Sequence, residues 1–354
     1  MTLAPPPPRS VSVVSAGLTC GLGLTADAAC AAIRARASRF EAVGFTDTFL
    51  EPVIGVPARE VVGEAVDEAR LLPLAVAAVR ECLDAGPKPR PGVPPKMPPL
   101  LLATDATHPP LDAPGFAERL LGRVADGLGL KLAPGSRLFT DGSASFWHAL
   151  EEGRRLVRAG AAGVIVAAVD SLISKSTSYW LQCLDRLKND DNSDGVIPGE
   201  AGAAVWLAPA PAPALLDVLG LGFGEEPSAR DPERPNLATG LADAFRAALQ
   251  DAGLAMADMD FRVGGMTGEA SWFKEASTAL ARVQRVHKDR FELWCPAEKL
   301  GDAGAALPAC MLVLTAVAMR KGYAPGGRGL LFGFSLAPER AACVVSRPAG
   351  VGRG

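Results

Sequence analysis

The sequence predicts an α/β protein in which mainly parallel or mixed sheets pack between helices. Runs of strand-forming and helix-forming residues alternate along most of the chain, a pattern typical of βαβ architectures. The composition agrees, because 49% of the 354 residues are hydrophobic and 21% are charged, which is enough apolar surface for a large core. The order of strands and helices in the second half resembles a shorter repeat of the order in the first half, so we predict two similar halves.

The first half follows a proline-rich tail at residues 1–9 and covers residues 10–210. Loops are predicted at residues 17–24 and 86–99, and the second of these is a connector with nine Pro and Gly in fourteen residues. The predicted elements are strand 11–16, helix 26–36, helix 71–85, strand 100–104, helix 115–128, strand 137–140, helix 144–159, strand 163–169 and a strand within residues 194–207.

The second half covers residues 211–354 and begins in a Pro/Ala linker at residues 208–214. The apolar run at residues 303–319 contains Pro308 and is shorter than the roughly 20 residues of a membrane span, so it predicts a buried helix. The predicted elements are strand 215–223, helix 237–252, strand 260–264, helix 270–286, strand 291–295, helix 303–321 and strands 329–334 and 341–346.

The charge and cysteine content exclude several classes of function. With 36 basic and 39 acidic residues the net charge is −3, too balanced for binding nucleic acid or a membrane surface through bulk charge. The seven Cys are scattered without a Cys/His cluster, so we expect reduced, mostly buried thiols and no metal or cofactor site. The start of the chain lacks a secretory signal, which favours the cytoplasm.

Three sequence motifs occur in a characteristic order along the chain. They are TDGSAS at residues 140–145 with RAGAAGVIVAA at 158–168, DGVIPGEAGAAV at 194–205, and GDAGAA at 301–306 with RKG at 320–322. Together with VVSAGL at residues 13–18 and FGF at 332–334, they resemble the β-ketoacyl synthases of the thiolase superfamily over about residues 10–348. The resemblance implies a five-layered αβαβα fold of two pseudo-duplicated halves, each with a mixed five-stranded sheet.

The resemblance also implies which positions carry the chemistry. The family condenses acyl groups with a Cys nucleophile, two His that stabilise an enolate, and a Lys five residues before the second His. Counting 17 residues back from Gly160 places Ser143 at the nucleophile turn. The first His motif, H-G-T-G-T, aligns with residues 265–269, so Gly265 replaces that His. Counting 18 back from Arg320 places Asp302 at the second His, and Ala297 stands where Lys is expected.

Each changed residue has two interpretations. Ser143 is either an ester-forming nucleophile, which needs a positioned base, or a helix N-cap. Asp302 places a charge in the former catalytic pocket, pairs with Lys299 or faces solvent. Trp147 and Trp272 either fill the substrate space or are core aromatics, and His148 is expected to pack in the core.

The acidic loop at residues 190–195 imitates the opening of an EF-hand, but its twelfth position is Ala201 rather than Glu. An exposed acidic loop is the alternative to a calcium site. The glycine-rich runs at residues 21–23 and 220–224 are interpreted as tight turns or bulges, because neither completes a dinucleotide-binding motif.

The sequence therefore predicts a catalytically inactive ketosynthase-like protein that binds, scaffolds or assists. Its partner is a second copy or another thiolase-fold chain across the strand at residues 137–140, an acyl carrier protein, or a component of a bacterial secretion cluster. The candidate binding residues are Ser143, Thr267, Phe332 and Phe334. The alternative function is an acyltransferase or esterase that uses Ser143 as nucleophile.

Overall fold

The computed structural model describes residues 10–88, 97–112, 115–231 and 233–348. The proline-rich tail and the middle of the connector at residues 86–99 lie outside these ranges. In the part of the chain that is described, no helix is both long and apolar enough to cross a bilayer.

Strands and helices alternate along the described residues much as predicted. The strands are β1 (Val11–Cys20), β2 (Glu41–Thr46), β3 (Pro52–Gly55), β4 (Leu100–Ala103), β5 (Arg137–Phe139), β6 (Val164–Ser171), β7 (Glu200–Pro209), β8 (Leu216–Glu225), β9 (Phe261–Gly264), β10 (Glu292–Trp294), β11 (Arg328–Phe334) and β12 (Glu339–Ser346). The helices are α1 (Ala26–Arg34), α2 (Arg59–Val62), α3 (Leu71–Ala85), α4 (Phe116–Leu128), α5 (Ser145–Arg158), α6 (Lys175–Cys183), α7 (Thr239–Ala252), α8 (Ala270–Val283), α9 (Ala297–Leu300) and α10 (Leu307–Arg320).

Ten strands form one mixed sheet whose two halves repeat a single topology. Its order is β10-β9-β11-β12-β8-β1-β7-β6-β4-β5, while β2 and β3 pair separately. In the first half β7 is antiparallel to both of its neighbours, β1 and β6, and β6, β4 and β5 are parallel. In the second half β8, β12, β11, β9 and β10 follow the same order and directions. The halves join where β1 pairs with β8 over residues 11–13.

Alternate residues of the central strands face two different cores. In β4, Leu100 and Leu102 pack with α3 and α4 in an outer cluster, whereas Leu101 and Ala103 pack with α5 and α10 in a central cluster. The second half mirrors this arrangement, with α7 and α8 on its outer face. Because residues two apart share a face of a strand, both faces of each half are covered by helices. The predicted αβαβα layering of two similar halves is therefore confirmed, and the boundary at residues 210/211, between β7 and β8, stays a prediction.

The first strand differs from the sequence prediction. Residues 17–20, expected to be a loop, continue β1 and pair with β7. Gly17 lies where α3 packs on β1, and a Cβ at this position would overlap the carbonyl oxygen of Ala78. This glycine therefore permits a close approach of helix and strand rather than a turn. The β2–β3 pair and α6 form in segments where no element was predicted.

Candidate functional site

A cavity of about 350 Å³ opens where parallel strands of both halves end. Ser143 follows β5, Gly265 follows β9 and Asp302 precedes α10, and all three line the cavity. The carboxyl ends of parallel strands are where α/β sheets commonly bind ligands. The fold thus brings together the three positions that the motifs align with the family's Cys and two His. Ala297, at the position of the family's Lys, is buried in the central core and is not among the cavity-lining residues.

Ser143 lies at the amino end of α5, within a short 3₁₀ turn at Gly142–Ala144. Gly142 begins this turn with a φ of +68°, a left-handed conformation that favours glycine. Ser143 is half-buried, and the residues at the N-cap positions of the turn and of α5 are Asp141 and Ala144. Ser143 is therefore a cavity-lining residue and not the helix N-cap proposed as one alternative.

Asp302 is buried, which corrects the expectation that it faces solvent or pairs with Lys299. Its side chain is only 8% exposed, and its Oδ1 accepts a hydrogen bond from the backbone N–H of Gly304 at 2.9 Å. Its own backbone N–H and C=O bond to Ile197 and Gly199, which holds the segment in place. Burial raises the pKa of Asp302 to about 6, although the nearby Arg186 guanidinium opposes the shift.

An ion pair that the sequence did not predict forms part of the cavity region. Arg186, which lines the cavity, donates two hydrogen bonds of 2.7 Å to the carboxylate of Glu269. Glu269 also accepts from Trp272 Nε1 at 2.7 Å and from the Thr267 hydroxyl at 3.1 Å. Glu269 occupies the last position of the segment that aligns with H-G-T-G-T, where the family has Thr. A carboxylate and a guanidinium thus replace a small hydroxyl side chain beside the cavity.

A second polar cluster borders the same cavity. His108 is 1% exposed, stacks on Trp180 with ring centroids 5.5 Å apart, and has Nε2 3.4 Å from Asp170 Oδ1. Burial disfavours a charged ring, but the negative charges of Asp170 and Asp105 outweigh this effect and raise the pKa of His108 to about 9. Burial and the charge of Asp170 raise the pKa of Asp105. The sequence did not predict this cluster, because Asp170 on β6 is far along the chain from Asp105 and His108, which follow β4.

The remaining candidate binding residues separate into two groups. Thr267 and Phe334 line the cavity, and Phe334 packs against Trp272 with ring centroids 4.9 Å apart. Phe332 instead packs in the outer core of the second half, beside Phe245. Phe332 and Phe334 are two residues apart, so they share the outer face of β11, and their ring centroids lie 5.9 Å apart. Of the two, Phe334 at the end of the strand lines the cavity.

The two tryptophans also differ in position. Trp272 lines the cavity, as one of the two interpretations proposed. Trp147 is 1% exposed and belongs to the central core.

No described histidine is hydrogen-bonded to Ser143. His108 Nδ1 lies 3.0 Å from the carbonyl oxygen of Pro109, and its Nε2 faces Asp170. His148 stacks on Phe223 and pairs with Glu339 at 2.7 Å, and its side chain is 35% exposed rather than buried in the core as expected. His287 is largely exposed. The base that an ester-forming Ser143 needs is therefore not provided by these contacts.

The acidic loop at residues 190–195 is largely exposed, as its non-calcium interpretation expected. Asp194 Oδ1 accepts a hydrogen bond of 2.6 Å from the backbone N–H of Ala270. Glu200 is fully buried and accepts hydrogen bonds of 2.8 and 2.6 Å from Arg70. The carboxylate nearest the EF-hand end position is thus engaged in an internal ion pair.

Comparisons with known proteins identify the fold. No protein-family model and no curated protein sequence matches the chain. Among solved structures, the oxazolomycin ketosynthase domain of Streptomyces albus is similar at 14% identity and a TM-score of 0.79, covering 97% of this chain and 75% of that one.

Two complexes are similar as well. A ketosynthase with its chain length factor from Xenorhabdus doucetiae matches at 14% identity and a TM-score of 0.69, covering 96% of this chain and 98% of that one. A type II polyketide synthase structure, AntDE:AntF, containing an acyl-carrier protein and its ketosynthase, matches at 14% identity and a TM-score of 0.76, covering 96% and 100%. The chain therefore has the thiolase-like fold of the ketosynthases.

Proposed function

We propose that this protein is a ketosynthase-fold accessory protein that does not catalyse condensation. One observation carries the proposal: Ser143, Gly265 and Asp302 meet in one cavity at the positions that the motifs align with the family's Cys and two His. Condensation needs a thiolate to hold the acyl chain and donors that stabilise an enolate oxygen. Ser143 offers a hydroxyl, Gly265 has no side chain, and Asp302 carries a buried carboxylate. None of the three supplies the thiolate or the enolate-stabilising donors.

The polar wall of the cavity supports the same conclusion. The Arg186–Glu269 pair and buried Asp302 place three ionisable groups at or beside the cavity. An alkyl chain placed against such groups removes water from them and offers no hydrogen bond in return, which costs free energy. The cavity is therefore better suited to a polar ligand or to a packed, closed state than to a growing acyl chain.

The partner we propose is another thiolase-fold chain. The solved structures of similar fold include a ketosynthase bound to its chain length factor and an acyl-carrier protein bound to its ketosynthase. In this protein β5 ends one side of the sheet, so its outer edge is open to a strand of a second molecule. A role within a bacterial secretion cluster is the other form of the proposal, and the genes adjacent to this one distinguish the two.

The decisive test measures decarboxylation of a malonyl thioester on an acyl carrier protein. An active ketosynthase is the positive control, and mass spectrometry follows loss of CO₂ and formation of a β-ketoacyl product. We expect no turnover above buffer, because one enolate-stabilising donor alone is worth about 10²–10³ in rate. Turnover well above buffer would overturn the proposal.

The alternative function, acyl transfer or ester hydrolysis from Ser143, predicts a covalent adduct. Incubation with activated acyl esters followed by peptide mapping detects an acyl group at Ser143. An adduct that is lost in Ser143→Ala would establish the alternative, and we expect none to form.

A further inference from the structure

A buried group of two carboxylates and one imidazole lies at one side of the cavity. Asp105 and His108 follow β4, and Asp170 lies near the end of β6. One ligand atom from each side chain lies within 4.8 Å of the others, and all three residues are buried. Asp105 and His108 also line the cavity, which gives a small ion a path to the group.

The contacts of His108 indicate which ring nitrogen of the neutral imidazole carries a proton and which one offers a lone pair to Asp170. Nδ1 lies 3.0 Å from the carbonyl oxygen of Pro109, which is an acceptor only, so Nδ1 carries the proton of the neutral ring. Nε2 then presents a lone pair towards Asp170 Oδ1 at 3.4 Å, and it has no hydrogen-bond partner within the described residues. A cation between Nε2 and the carboxylate satisfies both groups: it is a proton in the metal-free protein, and a metal ion can replace that proton.

The separation of these two atoms matches tetrahedral coordination. His N and carboxylate O bind Zn²⁺ at about 2.0–2.2 Å, and at the tetrahedral angle two such atoms lie about 3.4 Å apart. The measured distance from His108 Nε2 to Asp170 Oδ1 is 3.4 Å. A carbonyl that accepts from the other ring nitrogen is the usual support of a metal-bound His, and Pro109 supplies it.

The two carboxylates are also held in place. Asp170 accepts 2.8 Å hydrogen bonds from the backbone N–H groups of Ser171 and Ala305, one on each oxygen. Asp105 Oδ1 accepts from both the backbone N–H and the hydroxyl of Thr107, at 2.8 and 2.6 Å. Metal binding releases the protons of its ligands, which leaves a neutral imidazole and two buried carboxylates, and one divalent cation balances their two negative charges.

From these observations we propose that Asp105, His108 and Asp170 form a binding site for one Zn²⁺ ion, with a fourth coordination position open to the cavity. The site goes beyond the proposed accessory function and does not depend on it. It also departs from the sequence-based expectation of no metal site, which considered Cys/His clusters and the acidic loop at residues 190–195.

Metal titration of the folded protein tests the site. Metal-free protein in a Cys183→Ser background, which removes the exposed thiol, is titrated with ZnCl₂ in competition with a chromophoric chelator, and with CoCl₂ followed by absorption. We expect one equivalent of tight binding, a tetrahedral Co²⁺ spectrum without thiolate charge-transfer bands, and a higher melting temperature with metal. His108→Gln and Asp105→Asn should each weaken binding at least tenfold.

Matched controls keep the test decisive. His287→Gln changes an exposed histidine outside the cluster and should bind Zn²⁺ like the parent. Asp105→Asn keeps an oxygen that can accept from Thr107, so it decides the outcome if His108→Gln fails to fold. Absence of one-equivalent binding in the folded parent, or equal affinity in a folded cluster variant, would overturn the proposal.

Discussion

At the scale of single residues, the buried Asp302 should leave a measurable pH signature. Burial raises its pKa to about 6 in the folded state, so the folded protein holds this proton more tightly than the unfolded chain. Its contribution to stability is present below the ordinary Asp pKa of about 3.9 and is lost as pH rises through about 6. Asp302→Asn cannot ionise and keeps an acceptor for Gly304. We therefore expect its stability relative to wild type to rise between about pH 4 and 7, by on the order of 1–3 kcal/mol.

Urea unfolding at a series of pH values measures this difference. Asp194→Asn is the matched control, because Asp194 is exposed and also accepts a hydrogen bond from a backbone N–H. A stability difference between Asp302→Asn and wild type that stays constant with pH would contradict the prediction.

A second residue-scale prediction concerns partial repair of the chemistry. Ser143→Cys places a thiol at the amino end of α5, where the helix dipole favours the thiolate by roughly 0.3–1 kcal/mol. We expect iodoacetamide to label this thiol, detected by peptide mapping in a Cys183→Ser background. No condensation should follow, because a carboxylate at Asp302 repels a developing enolate and Gly265 offers no donor.

The triple variant with Gly265→His and Asp302→His supplies both imidazoles. A Cβ at Gly265 would meet its nearest neighbours at 3.5–3.6 Å, ordinary contact distances, so the start of a side chain fits there. A β-ketoacyl product from Ser143→Cys alone would show that the missing histidines are assigned incorrectly. If position 143 resists labelling even in the triple variant, the cavity is closed to ligands.

At the scale of elements, the sequence predicted elements with strong local patterns and missed those set by tertiary contacts. The bounds of α3, Leu71–Ala85, match the prediction, because its apolar face is periodic. The end of β1 was missed because Gly17 suggests a turn locally, whereas the packing of α3 requires a residue without a side chain. The short strands β2 and β3 carry exposed residues and a weak alternation, so nothing local distinguishes them from a loop.

The contact between β1 and α3 gives an element-scale prediction. Gly17→Ala should destabilise the fold by about 1–3 kcal/mol, because the added methyl group overlaps the backbone of α3. Gly122→Ala is the control of identical chemistry, since Gly122 is exposed within α4 and a Cβ there meets nothing within 4 Å. It should stabilise by about 0.5–1 kcal/mol. Denaturant unfolding measures both, and equal effects would refute the packing argument.

At the scale of the whole molecule, the two ends of the sheet should behave differently. We expect β5 to pair with a second thiolase-fold chain and β10, at the opposite edge, to remain free. Leu138→Lys in β5 should abolish the complex, whereas Leu293→Lys in β10, also half-buried on an edge strand, should leave it intact. Analytical ultracentrifugation at micromolar concentration measures both, after circular dichroism shows that each variant is folded.

Two outcomes would count against this dimer. A monomeric wild-type protein that also forms no complex with an active ketosynthase contradicts it. Equal loss of association in the Leu138 and Leu293 variants would place the interface elsewhere.

The candidate site is formed by residues from both halves of the molecule, and this limits how much of it the sequence could predict. Counting back from Gly160 and Arg320 identified Ser143 and Asp302, and alignment with the first His motif identified Gly265. The Arg186–Glu269 pair and the Asp170–His108 contact join residues from separate segments. No periodicity along the chain encodes such contacts, and only the folded arrangement of both halves reveals them.

The glycines at the close contacts between helices and strands bear on how the protein changes over evolutionary time. At Gly17, Gly202 and Gly222, any side chain would overlap the backbone of a neighbouring helix, while Gly265 in the cavity has room for one. A substitution at Gly265 is therefore expected to cost little stability, whereas one at a helix–strand contact is expected to cost much more. The frame can persist while this position of the cavity changes.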